Sequence, residues 1–495
     1  MPTSTIKFIR PKQHAGVIYD AGSQITIDSA LADLYVSDGV ATYVAKTLIP
    51  NGEIPLALDA AGDLIQAGTD RRIALRGPQS AVILFGDSRI DTEYVAANNG
   101  YSTTSRGVFT IANALAGQRC RVVKYAGIGG NKYSDLVARY MTDVRPYAKD
   151  ASWLYIMCDL NDVANDVPLD TIKANARQIW DWAAQDGLRI IETAGYFPSV
   201  GKELTATRNQ VLLQLSAFKR REASLRRNFF VVDANALIGN SAAATPSTPA
   251  AKIIDSSTGS GFHINVGGAY PIAKAVAAIL TSQVPPTDRL VSSVADCYGT
   301  DATNPNIFDY GLFQGTTGDT SGAGYIADAS PGAFTAGVPT GIKPKRNAGA
   351  CSWAPSVGTA SDGVGNALRL KITGAGATDV VQVSTTTALT SRVAGGQSFV
   401  GRSRVIITNP VGLHTVYQRI IATVDGVTYQ WRSIMDMTPL NGAIPEGCTL
   451  THETPLATLP NGTVSNFENQ ILIVFSAAGA SAQIDIERMS CERVA

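Results

Sequence analysis

From residue 78 to 283 the chain alternates short apolar runs with longer stretches of helical periodicity. The apolar runs fall at 81–85, 121–125, 153–157, 189–193 and 229–232. The clearest helical stretches are 169–185 and 209–226, and a last one, at 268–281, is nearly all Ala, Ile and Val. Continuous apolar runs bounded by turn residues read as strands buried on both faces. Five of them alternating with helices predict an α/β fold, a doubly wound parallel sheet. In 209–226 (NQVLLQLSAFKRREASLR) one face is apolar and the basic residues gather toward the end, where a helix dipole favours cations. Ligands of such sheets bind beyond the carboxyl ends of the strands, so chemistry is expected there.

The texture changes after Pro285 and Pro286. Thr, Gly, Ser and Val dominate, and lysine occurs only at 343, 345 and 371. Alternating stretches at 367–372, 380–384, 403–407, 414–424, 428–435 and 469–475 are separated by turn-forming Gly, Asn and Asp. Residues 287–495 therefore read as an antiparallel β-sandwich, jelly-roll-like. At the other end, residues 1–50 form a small module with short strands at 5–9, 16–19, 24–27 and 41–45 and a helical stretch at 29–37. So small a unit is expected to pack on a neighbour or on other copies of the chain. Residues 51–77 read as a linker with some strand content.

Composition narrows the function classes. The chain has 495 residues, enough for two or three domains, with 41 basic and 41 acidic side chains. Zero net charge lacks the electrostatic footprint of a nucleic-acid binder. No run of about 18 apolar residues is present to span a membrane, and the start, MPTSTIKFIRPKQ, has no apolar signal-peptide core. Six cysteines (120, 158, 297, 351, 448, 491) are scattered without a CxxC, which fits neither a zinc site nor a disulfide scaffold. They read as free buried thiols; Cys158 stands out because it ends a strand at the expected catalytic edge.

Four short motifs cluster at strand ends. Phe85-Gly86-Asp87-Ser88-Arg89 follows the first strand, and Ser88 leaves the sheet at its carboxyl edge. Gly127-Ile128-Gly129-Gly130 follows the second and matches neither a P-loop nor GxGxxG, so no cofactor is implied. Asp159-Leu160-Asn161-Asp162 follows the third; an Asn there commonly caps a helix, and its amide can equally donate to an oxyanion. His263 lies just before the last helix and is the one histidine of the α/β region, the others being 14, 414 and 452.

In this order and on these elements, the four motifs resemble the SGNH (GDSL-type) hydrolase family over residues 78–283. The resemblance implies Ser88 as nucleophile and His263 as its base. The backbone N–H groups of Ser88 and Gly130 and the side chain of Asn161 would form the oxyanion hole. Two departures stand out. The third motif usually begins with Gly, where this chain has Asp159. The last is usually Asp-x-x-His, and Ser260 occupies the position of the acid. Asp255, on a flexible Ser/Gly-rich loop, is the best substitute, and Ser260 or a backbone carbonyl could also orient the ring.

The flanking regions extend the expectation. An esterase fused to a Thr/Gly-rich sandwich resembles carbohydrate esterases with a glycan-binding module, and the N-terminal stretch is similar to short modules of bacteriophage structural proteins. Together they imply a virion-tail protein, made in the host cytoplasm, that deacetylates a bacterial surface polysaccharide. Such a protein would be a homotrimer contacting other tail proteins, with no metal, no cofactor and no nucleic acid. In this reading Trp353, Tyr417, Tyr429 and Trp431 either stack on sugars or, as alternating strand aromatics more often do, fill a core. The alternatives are a receptor-binding protein with a decayed site and a secreted lipase or thioesterase of the same fold.

Overall fold

The five apolar runs form five strands: β1 (Ala81–Gly86), β2 (Arg121–Gly127), β3 (Trp153–Met157), β4 (Arg189–Ala194) and β5 (Phe229–Asp233). They make one sheet of order β2-β1-β3-β4-β5, and every neighbouring pair is parallel. This is the flavodoxin-like order. β1 and β3 lie at its centre and are buried at every position, which is why they are uninterrupted apolar runs. β2 is an edge strand and half-exposed. The computed structural model describes residues 80–96, 102–105, 107–199, 201–240, 246–249, 252–253, 261–287, 289–299, 302–329, 332–387, 389–433 and 442–494. It also describes the backbone of seven short strands between residues 3 and 66. The helical stretch expected at 29–37 lies outside the described residues.

The helices of this domain are α1 (Ser88–Asp91), α2 (Val108–Leu115), α3 (Tyr133–Asp143), α4 (Leu160–Ala164), α5 (Leu169–Gln185), α6 (Ala206–Leu225), α7 (Ala234–Ile238) and α8 (Val266–Gln283). Helix α2 packs on α8, while α5 packs on both α3 and α6. Helix α6 begins three residues before its apolar periodicity because Thr205 caps it, accepting from Arg208 N at 3.3 Å. Its basic residues do not serve the helix dipole as expected: the last turn carries none. Lys219 falls instead on the buried stripe Leu212, Leu215, Lys219, Glu222, whose spacing is that of one helix face. Arg220 pairs with Asp233, and Arg226 pairs with Glu222 at 2.8 Å.

The C-terminal region forms two sheets of mostly antiparallel strands. One contains Ile342–Ala348, Val380–Thr385, Val464–Phe475, Leu413–Val424 and Val427–Arg432 in that spatial order. The other runs Thr335–Ala336, Ser352–Thr359, Asn366–Ala375, Ala480–Val494, Ser398–Val411 and Cys448–Glu453. A buried amide cluster joins them: Gln418 Nε2 donates to Asn469 Oδ1 at 2.8 Å and to Ser490 O of the other sheet at 3.2 Å. The first sheet is completed from outside the region. Strand Ser102–Ser105, from within 78–283, pairs in parallel with Val427–Arg432, and Tyr94–Ala96 adds beyond it. Gln118 Nε2 also donates to Thr451 O at 2.9 Å, so the boundary near 287 does not separate two independent surfaces.

Trp353, Tyr417 and Trp431 are buried in the C-terminal core, so the sugar-stacking role does not fall to them. Tyr429 is half-buried and stacks on Trp431 with ring centroids 6.1 Å apart. Tyr417, next to the inward-facing Gln418 in its strand, is buried on the opposite face of its sheet.

His452 is fully buried on Cys448–Glu453, with Nδ1 3.2 Å from Ser433 Oγ. Burial pushes its pKa down to about 3. The sign follows: the folded state keeps the ring neutral, while an unfolded histidine takes up a proton near pH 6.5. This contribution is intact above about pH 6.5 and is lost on acidification, by roughly 1.4 kcal/mol per pH unit, until the folded pKa is reached. Glu93 and Asp162, whose carboxyls burial raises to about 7, act in the opposite direction between pH 4 and 7. The difference in stability between wild type and His452→Gln isolates the histidine. Wild type should lose ground as pH falls from 6.5 to 4; parallel pH profiles would refute it.

Candidate active site

The sheet order places β1 between β2 and β3, and the three strands end together. Their carboxyl ends form the switch point where such sheets bind ligands. Ser88 is the first residue of α1, and the preceding Gly86 is packed so tightly that a Cβ there would lie 2.2 Å from Met157 O. Asp87 N donates to Met157 O at 3.2 Å, which ties the serine turn to the end of β3. The Asp87 side chain accepts from Arg89 N at 2.9 Å, and the Arg89 guanidinium folds back on the same carboxylate, Nη2 to Oδ2 at 2.7 Å. This ion pair is buried beneath Ser88.

On the β2 side, Ile128 N donates to Gly86 O at 3.1 Å and Asn131 N to Ile128 O at 3.3 Å, closing a turn over 128–131. Gly130 has φ +79° in this turn, a left-handed conformation that glycine adopts without steric cost. Arg139 braces the turn from α3: its Nε reaches Asn131 Oδ1 at 2.8 Å and its Nη2 reaches Gly86 O at 2.7 Å. Lys132 N donates to Asp135 Oδ2 at 2.8 Å at the start of α3.

On the β3 side, Asn161 is the second residue of α4, not its cap. Its Nδ2 donates to Asn131 O at 2.9 Å and lies 3.5 Å from Asp87 Oδ2. The amide thus bridges the third motif to the second and lies against the first. An amide nitrogen has two protons, and the strong bond to Asn131 occupies one. Asp162 accepts from Tyr133 N at 3.1 Å, capping α3, and burial raises its carboxyl to about 7. Cys158 does sit at the strand end, yet its thiol is buried and pushed upward by desolvation, with Sγ 3.8 Å from Asn131 O. That environment suppresses the thiolate a reactive cysteine needs.

His263 arrives from the segment before α8. Its Nε2 lies 2.9 Å from Ser88 Oγ. The segment is pinned on both sides: Tyr196 OH donates to Phe262 O, Ser199 N donates to Gly261 O at 3.0 Å, and Asn265 N donates to Lys252 O at 3.0 Å. Asn265 then caps α8 through Gly268 N at 3.1 Å. Asp255 and Ser260, the two side chains weighed for orienting the ring, lie outside the described residues.

The structure therefore brings Ser88, Gly130, Asn161 and His263 to one edge of the sheet. A hydroxyl in contact with an imidazole, beside a glycine turn and a side-chain amide, is equipped for nucleophilic attack on a carbonyl and stabilisation of the resulting oxyanion. Sequence reading missed what lies beneath: Arg89, Lys219, Glu192 and Tyr196. Lys219 had a signal, its place on the apolar stripe of α6. Tyr196 had none, because its hydroxyl acts on a backbone carbonyl 66 residues away.

The arrangement sets a hydroxyl–imidazole contact at the ligand-binding edge of a flavodoxin-like sheet. Solved structures similar to this chain include an acetylxylan esterase from Geobacillus stearothermophilus (a catalytic mutant), at 20% identity over 42% of this chain and 97% of that one, TM-score 0.32. A putative lipolytic protein of the G-D-S-L family from Desulfitobacterium hafniense matches at 18% identity over 41% and 99%, TM-score 0.30. The lipase/acylhydrolase from Enterococcus faecalis matches at 16% identity over 42% and 100%, TM-score 0.31. No protein-family model and no curated protein matches the chain.

Proposed function

We propose that the protein is a serine esterase of the SGNH type that removes acyl groups, chiefly acetyl, from a bacterial surface polysaccharide. The observation that carries this reading is the 2.9 Å contact between Ser88 Oγ and His263 Nε2 at the carboxyl edge of the parallel sheet. His263 takes the Ser88 proton as Oγ attacks the ester carbonyl. The oxyanion is held by the N–H groups of Ser88 and Gly130 and by Nδ2 of Asn161, each worth about 3 kcal/mol in the transition state. His263 then returns the proton to the departing alcohol, and water, activated by the same imidazole, releases the acid and restores Ser88.

A short acyl group suits the surface beside Ser88. The described turns 127–131 and 159–161 consist of Gly, Asn, Asp and buried Leu160, and bear one exposed aliphatic side chain, Ile128. The C-terminal sheets are bonded to the hydrolase domain through strands Ser102–Ser105 and Tyr94–Ala96, which supports a reading in which both parts meet one polymeric substrate. A trimeric virion-tail context, with other tail proteins as partners, belongs to the same proposal and rests on the sequence resemblance.

The purified protein is expected to hydrolyse p-nitrophenyl acetate faster than p-nitrophenyl palmitate and to release acetate from an O-acetylated bacterial polysaccharide. Preference for the palmitate would make it a lipase. No turnover of either ester, with Ser88 inert to serine-directed phosphonates, would leave a non-catalytic binding protein.

A further inference from the structure

Beneath the site runs a chain of buried charges that the proposed reaction does not use directly. It links Asp87, Arg89, Asp159, Lys219 and Glu192, each no more than 5% exposed. Asp159 is its centre. Oδ1 accepts from Arg89 Nη2 at 3.3 Å; Oδ2 accepts from Lys219 Nζ and from Gly195 N, both at 2.8 Å. Lys219 continues to Glu192 at 2.7 Å, and Glu192 also accepts from Trp180 Nε1 and from the Tyr133 hydroxyl. Tyr133 begins the helix that follows the Gly130 turn. The network therefore touches the Ser88 turn through Arg89, the Asn161 turn through Asp159, and the helix behind the Gly130 turn through Tyr133.

Asp159 is held in an unusual way. Its φ is +140°, a conformation costly for any residue with a Cβ. It stands at the N-cap of α4, yet its side chain caps nothing there. The ordinary reason for an Asp at a helix start is absent. The carboxylate instead turns into the sheet, where Gly195 makes room for it: a Cβ at 195 would lie 2.5 Å from Asp159 Oδ1. Buried charges are expensive, and an apolar cluster of the same volume would stabilise the fold as well or better. What the ions add is fixed geometry between the turns they join.

Resting on the esterase reading, we infer that Asp159 is a positioning residue: its carboxylate, clamped by Lys219 and Arg89, locks the Asn161 turn against the Ser88 turn and so sets the oxyanion hole. The departure from glycine at this position is then functional. The clamp holds a backbone conformation that glycine would otherwise reach unaided, and it adds a direct bond to the arginine next to the nucleophile.

The test uses Asp159→Gly, which suits the φ and removes only the clamp, and Asp159→Asn, which keeps the shape without the charge. Three quantities are measured in the full chain: kcat and KM for p-nitrophenyl acetate, the rate constant for phosphonylation of Ser88 by a fluorophosphonate, and the thermal midpoint. A displacement of the order of an ångström costs about 100-fold in rate. Asp159→Gly is expected to lower kcat and the phosphonylation rate by about 10- to 100-fold with KM within about twofold, and Asp159→Asn by less. A merely structural role would lower the midpoint and leave both rates unchanged well below it; that outcome, or failure of both variants to fold, overturns the inference. If wild type itself is not labelled at Ser88, the esterase reading fails and this one with it. A labelled wild type with unaffected variants removes only the positioning role.

Discussion

Ser88→Ala is expected to lower kcat for p-nitrophenyl acetate by about 10⁶-fold, the scale seen when a serine protease loses its nucleophile. No acyl-enzyme can form without Oγ. What survives is the oxyanion hole and substrate binding, enough for a small acceleration over water. The fold should be untouched, because the α1 hydrogen bond at this position uses Ser88 O, donated to by Thr92 N at 3.1 Å, and not the side chain. Ser88 is half-buried and its hydroxyl bonds to His263, so the thermal midpoint should move little. Steady-state kinetics beside a melting curve make the check. A folded Ser88→Ala variant retaining a tenth of wild-type kcat would remove the serine from the mechanism.

The largest stability effect is expected from Lys219→Met. Lys219 is fully buried, between Asp159 at 2.8 Å and Glu192 at 2.7 Å. Its two acidic partners hold the ammonium pKa above the ordinary lysine range despite the cost of burial. The linkage sign is that of a raised cation: the stabilisation is complete below the unfolded value near 10.4 and is lost only as pH rises through the folded one. Removing the cation leaves two buried carboxylates short of a partner, which costs about 3–5 kcal/mol. Chemical denaturation at pH 7 measures it. A loss under about 1 kcal/mol would contradict the account.

Much of the α/β domain was legible because its determinants are local. Strands covered on both faces must be apolar throughout, so β3 was placed at its full extent and the other four within a residue or two. The C-terminal region was harder. The long strand Ala480–Val494 lies between two neighbours, yet carries Asp485, Glu487 and Arg488. Its charges are matched across the sheet, Asp485 by Arg369 at 2.6 Å and Glu487 by Arg404 at 2.7 Å. Apolar and polar residues alternate from Ala480 to Glu487, but the phase shifts at Glu487-Arg488, where the register with Arg404 and Val405 slips, so the strand reads as two short runs. The pairing of Ser102–Ser105 with Val427–Arg432 joins segments more than 300 residues apart and left no trace in either.

The site divides in the same way. Ser88, the Gly130 turn, Asn161 and His263 were readable because each is a short motif at a strand end, and strand ends follow from periodicity. That His263 reaches Ser88, and that Asn161 spans from Asn131 toward Asp87, depended on the order of strands in the sheet. Least legible was the support. Asp159 read as a departure from a glycine, and Lys219 as one of several basic residues near a helix end. Only the packing of α6 against the ends of β3 and β4 brings them together, because a buried charge is explained by its partners in space and not by its neighbours in the chain.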